Sequence, residues 1–123
     1  MSQQNTLNQE RLFEYARCMQ PADGDPIRTV VTETAECVVV AWHVKPGQTI
    51  APHVHPFGQD TWTILAGTGD YIVSGDGAKR TIKAGDIVVA RTNDVHGVVN
   101  SGEEPLNFIS VVAPASAGYE LLS

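Results

Sequence analysis

From about residue 27 onward the chain is a succession of short runs rich in Val, Ile and Thr, each cut off by a turn former. The runs fall at 28–34 (RTVVTET), 37–45 (CVVVAWHVK), 48–55 (QTIAPHVH), 60–66 (DTWTILA) and 69–74 (GDYIVS). Others follow at 80–83 (RTIK), 86–91 (DIVVAR), 95–100 (VHGVVN) and 106–113 (LNFISVVA). Pro46-Gly47, Pro56-Phe57-Gly58, Gly75-Asp76-Gly77, Ala84-Gly85, Asn93-Asp94 and Ser101-Gly102 separate them. Branched and aromatic residues suit a pleated, half-buried surface, whereas Gly, Pro, Asn and Asp supply turn geometries. Many short strands at this spacing predict an all-β sandwich or barrel. No repeat, linker or low-complexity stretch interrupts them, and 123 residues are enough for one modest core and too few for two.

The first 26 residues read differently. TLNQERLFEYARCM, residues 6–19, fits a short helix with Thr6 and Gln9 as a weak capping box, or equally an extended arm. Pro21 and Pro26 end either. The expected division is residues 1–26 as an N-terminal arm or short helix and residues 27–123 as a single β domain.

Composition narrows the partners. With 42% hydrophobic and 18% charged residues the chain is an ordinary globular one, not a disordered one. A formal net charge of -6, with the eight Lys and Arg scattered, argues against nucleic acid or an anionic membrane, either of which wants a basic stripe. No window has the apolar length of a membrane span, and residues 1–10 lack the positive and apolar regions of a secretory signal. Cys18 and Cys37 form no metal-binding spacing, so two reduced thiols in a cytoplasmic protein are expected.

The chemistry concentrates in GQTIAPHVHPFGQD, Gly47 to Asp60. Side chains two apart on a strand share a face, so His53 and His55 point the same way and could share a metal ion. The turn Pro56-Phe57-Gly58 is expected to bring the next strand back alongside, placing either Gln59 or Asp60 near the two rings. Asp60 shares its face with Trp62, Ile64 and Ala66, an apolar set suited to an interior; Gln59 goes with Thr61, Thr63 and Leu65. Asp60 is therefore expected to face inward, a choice that a bulge would reverse. His96 offers a third imidazole at the start of a later strand. His43 lies on the face opposite Val40, Trp42 and Val44 and is expected at the surface or an interface.

These spacings together resemble the cupins. Their first motif, G-x5-H-x-H-x3-4-E-x6-G, is met by Gly47, His53, His55, Asp60 and Gly67, with Asp for Glu. Their second, G-x5-P-x-G-x2-H-x3-N, is met by Gly85, His96 and Asn100, with Arg91 in the Pro place and Asn93 in the Gly place. Asn tolerates positive φ, so the turn before His96 can survive. Arg91 would then stand near the mouth of the interior, where an anionic substrate could use it.

The resemblance implies a double-stranded β-helix (jelly-roll) barrel holding one divalent metal ion, Fe, Mn, Ni or Zn. His53, His55, His96 and Asp60 take the ligand positions of the motifs. It also implies a small-molecule ligand or substrate and a homodimer. Two functional classes follow. One is a metal-dependent dioxygenase or isomerase, whose catalytic acid or base stays unassigned among Tyr71, Arg91 and Asp60. The other is a non-catalytic module that binds a small molecule or senses metal. Loss of the metal site altogether is a third reading, against which the three retained histidines speak.

Overall fold

The computed structural model describes residues 10–122. In chain order its strands are β1 (Thr29–Glu33), β2 (Val38–Val44), β3 (Thr49–Val54), β4 (Gln59–Ala66), β5 (Thr68–Ile72), β6 (Lys79–Lys83), β7 (Ile87–Ala90), β8 (His96–Val99), β9 (Leu106–Ala113) and β10 (Glu120–Leu121). The first nine coincide with the nine runs read from the sequence. Before them a single helical turn, α1 (Tyr15–Cys18), is all that forms of the expected helix among the described residues. Thr6 and Gln9 lie outside those residues.

The strands make two antiparallel five-stranded sheets, ordered β1-β2-β9-β4-β7 and β10-β3-β8-β5-β6. Period-two patterning decides which side of each is buried. Along β4, Asp60, Trp62 and Ile64 are buried while Gln59 and Thr63 are exposed. Facing sides of the two sheets bury Val44, Ile50, Trp62, Ile64, Tyr71, Ile82, Val98, Leu106 and Phe108 in one cluster. Phe108 and Trp62 stack with centroids 4.2 Å apart, and the Tyr71 ring meets Trp62 edge-on at 5.2 Å. Asn100, wholly buried, donates from Nδ2 to the carbonyls of Val44 and Glu104 and accepts from the Gly102 amide, which closes the turn after β8.

Two expectations need correction. Among the described residues no strand pairing joins one sheet to the other, so the jelly roll is a pair of facing sheets and not a closed barrel. Nor does Pro56-Phe57-Gly58 return the chain alongside β3: it carries the chain across the interior, because β3 and β4 belong to different sheets. Asp60 thus meets the histidines across the gap between sheets. The local rule, that a turn joins hydrogen-bonded neighbours, loses to the jelly-roll winding, in which a short turn can span two layers.

Candidate metal centre

Three strands set the cluster. On β3 and β8 the residues His53 and His96 stand directly opposite each other in the antiparallel register. That register shifts by a bulge between Ile50 and His53, opposite Gly97. A Cβ at Gly97 would come within 2.6 Å of the Ile50 carbonyl oxygen, so only glycine lets the bulged strand approach this closely. His55 follows one residue after the end of β3, and Asp60 projects from β4 across the gap. All four side chains are buried, and one ligand atom from each lies within 4.8 Å of the others. The turn before His96 forms as the substituted motif requires: Asn93 adopts φ 65°, the left-handed conformation that glycine would supply, and donates its amide to the His55 carbonyl at 3.1 Å.

Hydrogen bonding fixes the ring tautomers. Nδ1 of His53, His55 and His96 lies 2.8, 2.7 and 3.1 Å from the carbonyl oxygens of Ala51, Gly118 and Asp94. A carbonyl can only accept, so each Nδ1 carries a hydrogen and each neutral ring turns an Nε2 lone pair to the interior. There His96 Nε2 is 3.1 Å and His55 Nε2 3.4 Å from the same oxygen, Asp60 Oδ2. His55 Nε2 is buried without a hydrogen-bond partner. Asp60 Oδ1 is engaged from the other side by the Ser110 hydroxyl. Four acceptors thus converge with no donor among them. Such a set is stable only around a cation, and three imidazoles with one carboxylate suit a divalent transition metal. The residues present fit the implied ion.

Without a metal a proton takes the same role in part. Burial pushes the Asp60 carboxyl up, but its contacts with His55, His96 and Ser110 outweigh this and hold it well below the usual carboxylate range. Burial pulls His55 down, yet its contacts with Asp60 and the Gly118 carbonyl leave it raised. His53, desolvated and next to His96, falls to about 4. The metal-free cluster therefore holds an ionised Asp60, a His55 that gains a proton easily and a His53 that resists one.

His53, His55 and Asp60 form one wall of a cavity of about 590 Å³, with His96 buried behind them. Its other walls are apolar, from Val38, Val40, Trp42, Ile50 and Val112, and its remaining polar groups are Arg28, Ser110 and Tyr119. The segment after β9 brings Tyr119 over the histidines, its ring centroid 4.8 Å from His53 and 6.1 Å from His55. Burial raises the Tyr119 phenol, which stays protonated.

The residues weighed from sequence separate cleanly. Gln59 is exposed on the outer face of β4, so Asp60 alone faces the rings. Arg91 is exposed and lines no wall of this cavity. Tyr71 is buried in the apolar core with its phenol pushed well up by burial, away from the cavity. His43 is half-buried on the outer face, its Nδ1 2.7 Å from Asn107 Oδ1. Sequence reasoning missed Arg28, Ser110 and Tyr119. Ser110 did leave a signal, as the one hydroxyl on the face shared by Leu106, Phe108 and Val112; Arg28 and Tyr119 left none.

Comparison with known proteins finds relatives of the same fold. The pectin degradation protein KdgF of Dickeya dadantii (strain 3937) is 32% identical over 97 residues, spanning 78% of this chain and 86% of its own length. The crystal structure of an uncharacterized conserved protein with a double-stranded β-helix domain from Klebsiella pneumoniae matches with a TM-score of 0.90 at 50% identity, over 94% of this chain and 99% of that one. KdgF from Halomonas sp. shares the fold with a TM-score of 0.67 at 24% identity, over 77% of this chain and 85% of that one. Residues 40–112 match the cupin domain family, and the chain belongs to it.

Proposed function

We propose that this cupin is a metal-dependent enzyme acting on a small sugar acid, with His53, His55, Asp60 and His96 holding one divalent ion. The observation that carries the reading is the convergence of four acceptor atoms, within 4.8 Å of one another, with three of their residues on the wall of a ligand-sized cavity. Three imidazoles suit Fe, Ni or Zn, and the carboxylate widens the choice toward Mn. When bound, such an ion supplies Lewis acidity toward a carbonyl or enolate oxygen, or a coordination position for O2. The kinship with a pectin degradation protein supports the substrate class, because pectin is a polymer of galacturonate and its fragments are hydroxylated carboxylates. For such a molecule an isomerisation, which moves a proton without an outside oxidant, fits better than dioxygenation. The Tyr119 phenol, protonated and lying over His53 and His55, is the group placed to give a proton to the substrate.

A non-catalytic binding module is the second reading, favoured by the apolar walls, which carry no acid or base. A cytoplasmic setting fits the two free cysteines. The exposed Leu12 and half-exposed Phe13 of the N-terminal arm fit a homodimer built through it.

Elemental analysis of untagged native protein beside a His53→Ala/His96→Ala double variant tests the site. The metal-loaded protein is then incubated in D2O with galacturonate and keto-sugars, with products followed by proton NMR and O2 by electrode. Stoichiometric metal lost in the variant, with solvent deuterium entering a ketose product, is the expected result. O2 uptake matched to product would move the reaction to dioxygenation, and bound metal without turnover would favour the binding module. Absence of metal from native protein would overturn the metal site itself.

A further inference from the structure

We propose that Arg28 is the anion-recognition residue of this cavity, its guanidinium holding a carboxylate of the ligand while the ligand's oxygenated end faces the histidine cluster. The inference rests on the metal-site reading above and adds to it the residue that selects for charge.

Three observations point to Arg28. It precedes β1, an outer strand of its sheet, and lines the cavity that His53, His55 and Asp60 also line. Among the described residues no carboxylate lies in ion-pair range of it, and the ion pairs there involve other residues. Among the described residues that line the cavity the only carboxylate is Asp60, which is already committed to the histidines and Ser110.

The charge balance follows directly. A divalent ion would overbalance Asp60, and Arg28 then adds a second positive charge that nothing in the lining offsets. Arg28 is itself exposed, so this charge stands at the cavity's mouth, and a positive mouth in a chain of net charge -6 draws small anions. Arginine suits this role better than lysine, because its planar fork meets the two oxygens of a carboxylate with parallel hydrogen bonds. Arg91, which the sequence suggested for this part, is separated from the cavity, and Arg28 takes the part instead.

Calorimetric titration of metal-loaded protein tests the proposal with two matched pairs, galacturonate against galactose and lactate against lactamide. Members of each pair differ chiefly in the carboxylate. Native protein is expected to bind each acid about 10- to 100-fold more tightly than its neutral partner, the range of a hydrogen bond to a charged group. Arg28→Gln should bring the two members of each pair to within about threefold at unchanged metal content, and Arg28→Lys should keep part of the preference. A native preference that survives in Arg28→Gln, or no native preference in either pair, overturns the proposal. Preference that depends on Arg28 without turnover would sink the enzyme reading and leave this one standing. Turnover of galacturonate with the same KM in Arg28→Gln would do the reverse.

Discussion

The packed end and the open end of the space between the sheets are built by the same strands. β4 turns Asp60 to the cavity and Trp62 and Ile64 into the core. β8 gives His96 to one end and Val98 to the other, and β9 gives Ser110 and Phe108. Alternate residues share a face, so one step of two residues, about 6.5 Å along a strand, carries each of them from hydrocarbon to ligand chemistry. Trp62 stands at the border, 4.2 Å from the Phe108 centroid and 5.9 Å from that of His96. At the packed end the interior groups are apolar and interlocked. At the open end four acceptors face one another and are content only around a cation. One end stores stability, the other stores an unmet demand for positive charge, which is the kind of local conflict that function retains.

The division breaks most visibly by substitution at the packed end. Phe108→Ala, which removes a wholly buried ring stacked on Trp62, should cost about 3–5 kcal/mol in urea unfolding of the metal-free protein. The fraction that remains folded should still take up metal in full. His53→Ala/His96→Ala should invert that pattern, lowering metal affinity by more than about 100-fold while the metal-free protein loses no more than about 2 kcal/mol. If the alanine at 108 instead stripped the metal from well-folded protein, the two ends would not be separable as described.

Acid should strike the open end first. In the metal-free protein burial and the neighbouring His96 lower His53 to about 4 from its ordinary 6.5. The unfolded chain therefore binds that proton at a higher pH than the folded one. The stability tied to neutral His53 is fully present above about 6.5 and drains away as pH falls toward about 4, by roughly 3 kcal/mol in all. Asp60, held below its ordinary range, adds a further loss only in stronger acid. His55, raised above 6.5, runs the opposite way: its contribution is complete below that value and lost as pH rises past its folded value. Urea midpoints of the metal-free protein should accordingly peak near neutrality, and His53→Gln should flatten the acid limb. An unchanged acid limb in that variant would mean that His53 is not desolvated as the geometry indicates.

What the sequence made legible follows the same division. Strand positions and the inward choice of Asp60 over Gln59 were readable because both depend on alternation within a few residues. The second motif's Asn93 was readable for a similar reason, since φ is a property of one residue. The turn at Pro56-Phe57-Gly58 was misread because whether a turn joins strands or crosses layers is decided by where β4 finds its partners, β7 and β9. β10 escaped notice because two residues carry no period. Arg28 and Tyr119 reach the cavity from opposite ends of the chain, and no local pattern links either one to His53. Arg91 looked plausible by its distance from His96 along the chain, but its turn points the side chain to solvent.

Ser110 tests the border itself, with the smallest effect. On β9 it sits between Phe108 and Val112, a single hydroxyl on an otherwise apolar face, and donates to Asp60 Oδ1. Ser110→Ala would extend the packed end by one residue at the expense of the open one. Asp60 would keep its ionised Oδ2 toward the rings but lose the donor that holds its other oxygen. The metal-free protein should lose about 1–2 kcal/mol, since a buried acceptor forfeits its partner. Metal affinity should fall about tenfold, as expected when a ligand loses the group that orients it. Ser110→Thr, which keeps the hydroxyl, should restore most of the affinity if the added methyl is accommodated beside Val112. Equal losses in both variants would assign the effect to packing, and Ser110 would then belong to the packed end after all.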